Sequence, residues 1–123
     1  MLNSPLYGKV SFNEPLSLHT SIKVGGPACV WIEPETLEQL CEIAKLSKMG
    51  KISIFTIGEG CNIIAAGTGI DEICVKLNSP AFKKIEFNGA FVRTGAGVLL
   101  NELLTLAGQS GLGGYEFLAG TPG

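Results

Sequence analysis

The feature that most constrains the fold is a predicted helix flanked by two short β-rich runs, the second of which ends at a pair of glycines. Thr36 and Gln39 have the spacing of a capping box, and the residues after them place apolar side chains at helical spacing up to Gly50, which predicts the end of the helix. The predicted elements are a strand over 28–32, a helix over 36–49 and a strand over 52–57. This order predicts a βαβ-like unit and a mixed fold.

The second half of the chain continues the mixture of strands and helix. Asn88-Gly89 is a strong hairpin signal between two β-rich runs, and Gly111 predicts the end of a second helix. The elements predicted here are strands over 72–77, 84–87 and 90–94 and a helix over 98–110. By contrast, residues 1–24 are irregular and interrupted by prolines, and residues 112–123 have no period.

Composition excludes several classes of protein. A chain of 123 residues, 46% hydrophobic and 16% charged, is long and apolar enough for one folded domain and not for two. Its net charge of −2 is unfavourable for binding nucleic acid or an anionic membrane. No apolar run approaches the ~18 residues of a membrane-spanning helix, and the first residues do not resemble a signal peptide. We therefore expect a cytoplasmic protein.

The cysteine and histidine pattern does not predict a metal or nucleophile site. The four cysteines form no CxxC pair, and His19 is the single histidine, so free thiols in a reducing compartment are expected and no metal ligands. His19 is expected to be structural. Cys61 lies in a glycine-rich loop, but no base partner for a catalytic thiol is evident.

Gly58-Glu59-Gly60-Cys61-Asn62, directly after a predicted strand, is the best candidate for chemistry. Two glycines around one residue let backbone N–H groups turn toward a phosphate without obstruction by a Cβ. The loop is not a Rossmann fingerprint, because Ile63 stands at the third glycine position, and no P-loop lysine follows. A tight turn is the alternative interpretation, and Asn62 could fix the loop or reach a ligand. Gly95-Ala96-Gly97 is a weaker candidate that a turn before the second helix explains.

Five segments together resemble the bacterial UDP-N-acetylenolpyruvoylglucosamine reductases (the MurB family), flavoenzymes of peptidoglycan synthesis. They follow the family's order across nearly the whole chain, and the second is similar to the family's flavin-pyrophosphate loop. The segments are 15–28 with its His-Thr-Ser-Ile-Lys-Val-Gly-Gly-Pro run, 57–64, 69–75, Gly95-Ala96-Gly97, and 111–123 with its Glu-Phe-Leu-Ala-Gly-Thr-Pro-Gly ending.

The resemblance implies an α+β fold, the FAD-binding subdomain of the vanillyl-alcohol-oxidase-like (PCMH-type) flavoproteins. It also implies that FAD accepts hydride from NADPH and delivers it to the enolpyruvyl group of a UDP-sugar, giving UDP-N-acetylmuramate. Residues 1–24 would be an arm, and 25–123 the first part of the FAD-binding domain. The cofactor-binding residues implied are Ile57, Gly58, Glu59, Gly60, Cys61, Asn62 and Ile63 around the diphosphate, and Ala119, Gly120, Pro122 and Gly123 toward the flavin.

Two departures from the family pattern modify this expectation. Cys61 replaces the usual Ser or Thr of the loop, and a thiol is a weak hydrogen-bond donor. The chain also stops at Pro122-Gly123, where the family continues into a second flavin-binding stretch, which predicts an N-terminal, truncated portion without the family's catalytic serine, arginine and glutamate. We expect no catalytic residue here, no turnover by this polypeptide, and weak or absent FAD retention on purification. The alternatives are a stand-alone nucleotide- or flavin-binding module without redox activity, and a small domain whose glycines only make turns.

Overall fold

The structure is a computed structural model and describes residues 4–121. These residues form six strands and two α-helices, so the predicted mixed fold is confirmed. The elements are β1 (Lys9–Pro15), β2 (Pro27–Glu33), α1 (Leu37–Gly50), β3 (Ile54–Thr56), β4 (Ile70–Val75), β5 (Ile85–Asn88), β6 (Phe91–Thr94) and α2 (Leu100–Gln109). Single 3-10 turns lie at Leu16–Leu18, Pro80–Phe82 and Glu116–Leu118.

The main sheet contains four strands in the order β1-β2-β4-β3. β1 pairs with β2 in antiparallel orientation, whereas β2 and β3 each pair with β4 in parallel orientation. Cys74 of β4 therefore lies between Trp31 and Phe55. The predicted βαβ-like unit has the right orientation, but its two strands are not neighbours, because β4 is inserted between them.

The prediction that residues 1–24 lack regular structure is wrong for Lys9–Pro15, which forms β1. Exposed and half-buried residues do not alternate regularly along this strand, and none of its residues is buried. Its structure comes from pairing with β2. Leu16, directly after it, is buried and donates its backbone N–H to Gly26 O at 3.0 Å. Such pairing with a distant strand leaves little local signal. The division of the chain after residue 24 stays a prediction.

Helix α1 begins as the sequence predicts and ends one residue later than expected. Thr36 and Gln39 form a reciprocal capping box. Gly50 was predicted to terminate the helix but is its last residue, and the left-handed residue is Lys51, with φ of 52°. The Lys51 N–H bonds to Ser47 O, so a helix C-cap is built here without glycine in the left-handed position.

Each face of the main sheet carries a cluster of buried apolar side chains. Ile43 of α1 covers one face, and the segment after β1 together with the loop after β3 covers the other. The first cluster contains Ile32, Ile43, Ile73 and Val75. The second contains Leu16, Ala28, Trp31, Ile57, Ala65 and Cys74. Burial of the Cys74 thiol raises its pKa to about 11, and Glu72 contributes to the rise.

The second half of the chain forms a separate β-hairpin and the second helix. β5 and β6 pair with Asn88 opposite Phe91, so the turn residues are Gly89 and Ala90, one position later than predicted. Gly89 has φ of 58°, as the first turn residue of a type II′ turn requires. Helix α2 is shorter than predicted, and Gly111 follows it with φ of 70°, which confirms it as the stop.

Candidate functional site

A cleft lies at the carboxyl edge of the parallel strands, where such sheets commonly bind ligands. β3 and β4 run parallel, so their last residues meet at the same edge, and Ile57 N–H donates to Val75 O at 3.0 Å just beyond β3. The cleft has a volume of about 300 Å³. Its lining comes from three segments: Thr56–Glu59, Val75–Asn78 and Ala96–Leu99.

The two glycines of the loop after β3 have different structural roles. Gly60 is buried with φ of 69°, and a Cβ there would lie 1.9 Å from His19 O. Ser21 N–H also donates to Gly60 O at 3.1 Å, so the loop is held against the segment after β1. Gly58 has no such constraint: it lines the cleft, and a Cβ on it would meet nothing within 4 Å. The fold therefore requires glycine at position 60, whereas the backbone at Gly58 is sterically accessible from the cleft.

The remaining residues predicted from this loop are spread along it. Cys61 is exposed, and its thiol lies 3.9 Å from Glu59 O, turned back on the loop itself. Asn62 is exposed, and Ile63 is half-buried against the core cluster beneath the sheet. The structure thus places Ile57, Gly58 and Glu59 in the cleft, while Gly60, Cys61, Asn62 and Ile63 do not line it.

The opposite wall of the cleft is the turn that precedes α2, which the sequence treated as the weaker candidate. Ala96 and Gly97 line the cleft, and Gly97 N–H donates to Phe82 O at 2.9 Å. A Cβ on Gly97 would lie 2.2 Å from Leu77 O, so the glycine permits close packing beside β4. A strand, a Gly-x-Gly turn and a helix were visible in the sequence, but their position opposite the first glycine loop was not.

The cleft carries one positive and one negative side chain among the described residues that line it. Lys76 follows β4, and Glu59 lies in the glycine loop; Lys76 Nζ and Glu59 Oε1 are 3.6 Å apart. The Lys76 side chain is 18% exposed and that of Glu59 48% exposed. The sequence analysis missed Lys76, because a single lysine after a strand has no local pattern.

The predicted residues near the C-terminus lie elsewhere or outside the described part of the chain. Ala119 and Gly120 are exposed after the last 3-10 turn and are not among the residues lining the cleft. Gly120 has φ of 83°, which its turn requires. Pro122 and Gly123 lie outside the described residues.

His19 contributes to the support of the loop. Its ring stacks on Trp31 with a centroid separation of 3.9 Å, and its Nε2 lies 2.9 Å from Glu14 Oε1. Its backbone carbonyl is the atom against which Gly60 packs. This residue therefore joins β1, β2 and the glycine loop, as expected for a structural histidine.

Within residues 4–121, no three His, Cys, Asp or Glu side chains are grouped so that they could hold a metal ion. None of the helices in the same range has both the length and the apolar character needed to cross a membrane.

A glycine turn at the carboxyl edge of parallel strands, facing a second glycine turn before a helix N-terminus in an α+β domain, is typical of domains that bind nucleotides. Residues 27–123 match the FAD binding domain family, and the chain belongs to that family. The FAD-binding fold class implied by the resemblance is thereby confirmed.

Individual relatives agree with the family resemblance. The chain is 40% identical over 114 residues to the UDP-N-acetylenolpyruvoylglucosamine reductase of Alkaliphilus oremlandii, covering 93% of this chain and 37% of the relative. It is 34% identical to that of Desulforamulus reducens, covering 99% and 40%. The crystal structure of the reductase from Thermus caldophilus matches with a TM-score of 0.67 and 28% identity, covering 93% and 38%. The chain thus spans about two fifths of the length of these relatives, and its resemblance to the reductase family is confirmed.

Proposed function

We propose that this chain binds FAD, with the cofactor's diphosphate in the cleft between Thr56–Glu59 and Ala96–Leu99. The observation that carries the proposal is the open backbone of Gly58 at the carboxyl edge of the parallel strands. Backbone N–H groups in such a turn can donate to phosphate oxygens, and the N-terminus of α2 supplies a favourable dipole. The donors and the space beside Gly58 fit a diphosphate.

Of the other predicted cofactor residues, some line the cleft and the rest lie outside it. Glu59 and Ile57 line the cleft with Gly58, and Gly60 fixes the path of the loop that presents them. Cys61 through Ile63 continue the loop outside the cleft, and their contact with FAD stays a prediction of the resemblance. Contact of Ala119, Gly120, Pro122 and Gly123 with the flavin end of FAD stays a prediction of the resemblance.

The activity proposed for the whole protein is that of its relatives, UDP-N-acetylenolpyruvoylglucosamine reductase, with NADPH as reductant and a UDP-sugar as substrate. FAD supplies hydride transfer in that chemistry. The residues of this chain supply cofactor binding and orientation, and none of them is assigned a catalytic role. The proposal includes a cytoplasmic location and an oxidoreductase role in peptidoglycan synthesis for the whole protein. It is supported by the family match and by relatives that align over nearly the whole chain.

The test replaces Gly58 by Ala and measures FAD and ADP affinity by isothermal titration calorimetry. The added methyl meets open space within the protein, so folding should be retained. It would stand between the backbone and the phosphate, and loss of one charge-assisted hydrogen bond should weaken binding about tenfold or more.

Gly67→Ala is the matched control, because a Cβ on Gly67 also meets nothing within 4 Å but that residue lies outside the cleft. It should leave affinity unchanged. Equal affinity of wild type, Gly58→Ala and Gly67→Ala would contradict the proposed position of the diphosphate. Failure of the wild-type chain to bind FAD or ADP would contradict the proposal as a whole.

A further inference from the structure

Lys76 is a partly buried cation with a fixed backbone. Its N–H donates to Ile32 O at 3.1 Å, which holds the residue at the end of β4 against the neighbouring strand. Its side chain is 18% exposed and lines the cleft. A lysine side chain that is largely covered by protein is stabilised by an anion close to its ammonium group. In the described part of the cleft that anion is Glu59.

The Glu59 carboxylate is a weak partner for this lysine. The separation of 3.6 Å between Lys76 Nζ and Glu59 Oε1 exceeds the usual hydrogen-bond range, so the attraction is Coulombic without a formed hydrogen bond. The Glu59 side chain is 48% exposed and sits on a loop. Ion pairs of this kind contribute little to stability and separate readily.

We propose that Lys76 exchanges Glu59 for the diphosphate when the cofactor binds, so that Glu59 is an internal competitor for the site. This inference rests on the proposed function, since it assigns a counter-charge to the FAD diphosphate in the same cleft. A diphosphate bears two negative charges and strong acceptor oxygens, which form shorter and stronger bonds with an ammonium than this carboxylate does. It also repels Glu59, so binding moves the carboxylate toward solvent.

Partner exchange gives the two charges opposite effects on affinity. Removing the Lys76 charge deprives the diphosphate of a positive partner and weakens binding. Removing the Glu59 charge frees Lys76 and abolishes the repulsion between Glu59 and the diphosphate, so binding becomes stronger. A purely structural ion pair would act differently, because loss of either partner would disturb the loop in the same way. The signs of two single substitutions therefore distinguish exchange from structural support.

The experiment measures ADP, FAD and riboflavin affinity of the wild-type chain and its variants by isothermal titration calorimetry. Lys76→Gln should weaken ADP and FAD binding about tenfold, and Glu59→Gln should strengthen it severalfold. Riboflavin, which has no diphosphate, should be unaffected by either change. Raising the salt concentration should weaken ADP binding to wild type more than to Lys76→Gln.

The matched control is the ion pair on α1, where Lys45 Nζ lies 2.6 Å from Glu42 Oε1 away from the cleft. Lys45→Gln and Glu42→Gln should leave all three affinities unchanged. Circular dichroism of each variant establishes that the fold is retained.

Three results would overturn the inference. One is unchanged ADP affinity in Lys76→Gln; another is weaker binding in both Lys76→Gln and Glu59→Gln. The third, from a further titration of the wild-type chain and Lys76→Gln with UDP-N-acetylglucosamine, is a larger loss of affinity for that ligand than for ADP, which would assign Lys76 to a UDP-sugar. In each case the wild-type chain still binds FAD, so the proposed function survives. Absence of FAD and ADP binding by the wild-type chain overturns both.

Discussion

At the scale of single residues, the glycine pair after β3 shows how one motif combines two roles. Gly58 and Gly60 are equivalent in the sequence, but only Gly60 has a left-handed backbone and a neighbouring carbonyl where a side chain would be. The sequence therefore predicts where the loop lies but not which glycine the fold requires. That distinction depends on His19, which is 41 positions earlier in the chain.

Gly60→Ala should destabilise the protein by about 3 kcal/mol or more. The methyl would overlap His19 O, and the left-handed backbone would add strain. Gly111→Ala is the matched control, because Gly111 has φ of 70° but open space around a Cβ. It should cost only the strain, about 1 kcal/mol. Urea denaturation measures both, and equal losses would show that the contact with His19 is unimportant.

At the scale of elements, α1 is the best-predicted part of the molecule because its signals are local. Thr36 Oγ1 accepts from Gln39 N–H at 3.3 Å, and Gln39 Oε1 accepts from the N–H groups of Thr36 and Glu35 at 3.3 and 2.6 Å. The same Gln39 also donates through Nε2 to Pro5 O at 2.9 Å, which ties the segment before β1 to the helix. The second link joins residues 34 positions apart, and the sequence did not predict it.

Thr36→Ala should lower the free energy of unfolding by about 1 kcal/mol, the usual contribution of a helix cap. Gln39→Ala should cost more, because it removes the same capping box together with the bond to Pro5 O. Thr105→Ala is the control: this hydroxyl donates to Asn101 O within α2, and its loss should change stability by less than about 0.5 kcal/mol. Urea denaturation compares the three variants. A Gln39→Ala loss no larger than that of Thr36→Ala would argue against the link to Pro5.

At the scale of the whole molecule, burial is concentrated in the main sheet. β2 and β4 are its inner strands and contribute Trp31, Ile32, Cys74 and Val75 to the two core clusters. The β5–β6 hairpin has no buried residue, and α2 buries only Ala107 among its own residues. The two halves of the chain thus differ in how much apolar surface stabilises them.

Hydrogen exchange should reveal this difference. Amides of β2 and β4 should exchange slowest, because their hydrogen bonds open only when the whole sheet unfolds. Amides of β5, β6 and α2 should exchange faster. Hydrogen–deuterium exchange followed by mass spectrometry resolves these segments. FAD should slow exchange in 56–59 and 96–99, the two sides of the cleft, and leave the α1 amides unchanged. Uniform protection in both halves would contradict this distribution of stability.

The sequence by itself determined the features that depend on neighbours along the chain: helix α1 with its cap, the hairpin, the glycine turns, and a family resemblance carried by short motifs. The tertiary structure decided the features that depend on distant residues. These are the strand pairing of Lys9–Pro15, the insertion of β4 between β2 and β3, and the meeting of two glycine turns with Lys76 in one cleft. The physical reason is that turns and caps are fixed by local backbone geometry, whereas strand order and clefts arise from long-range pairing and burial.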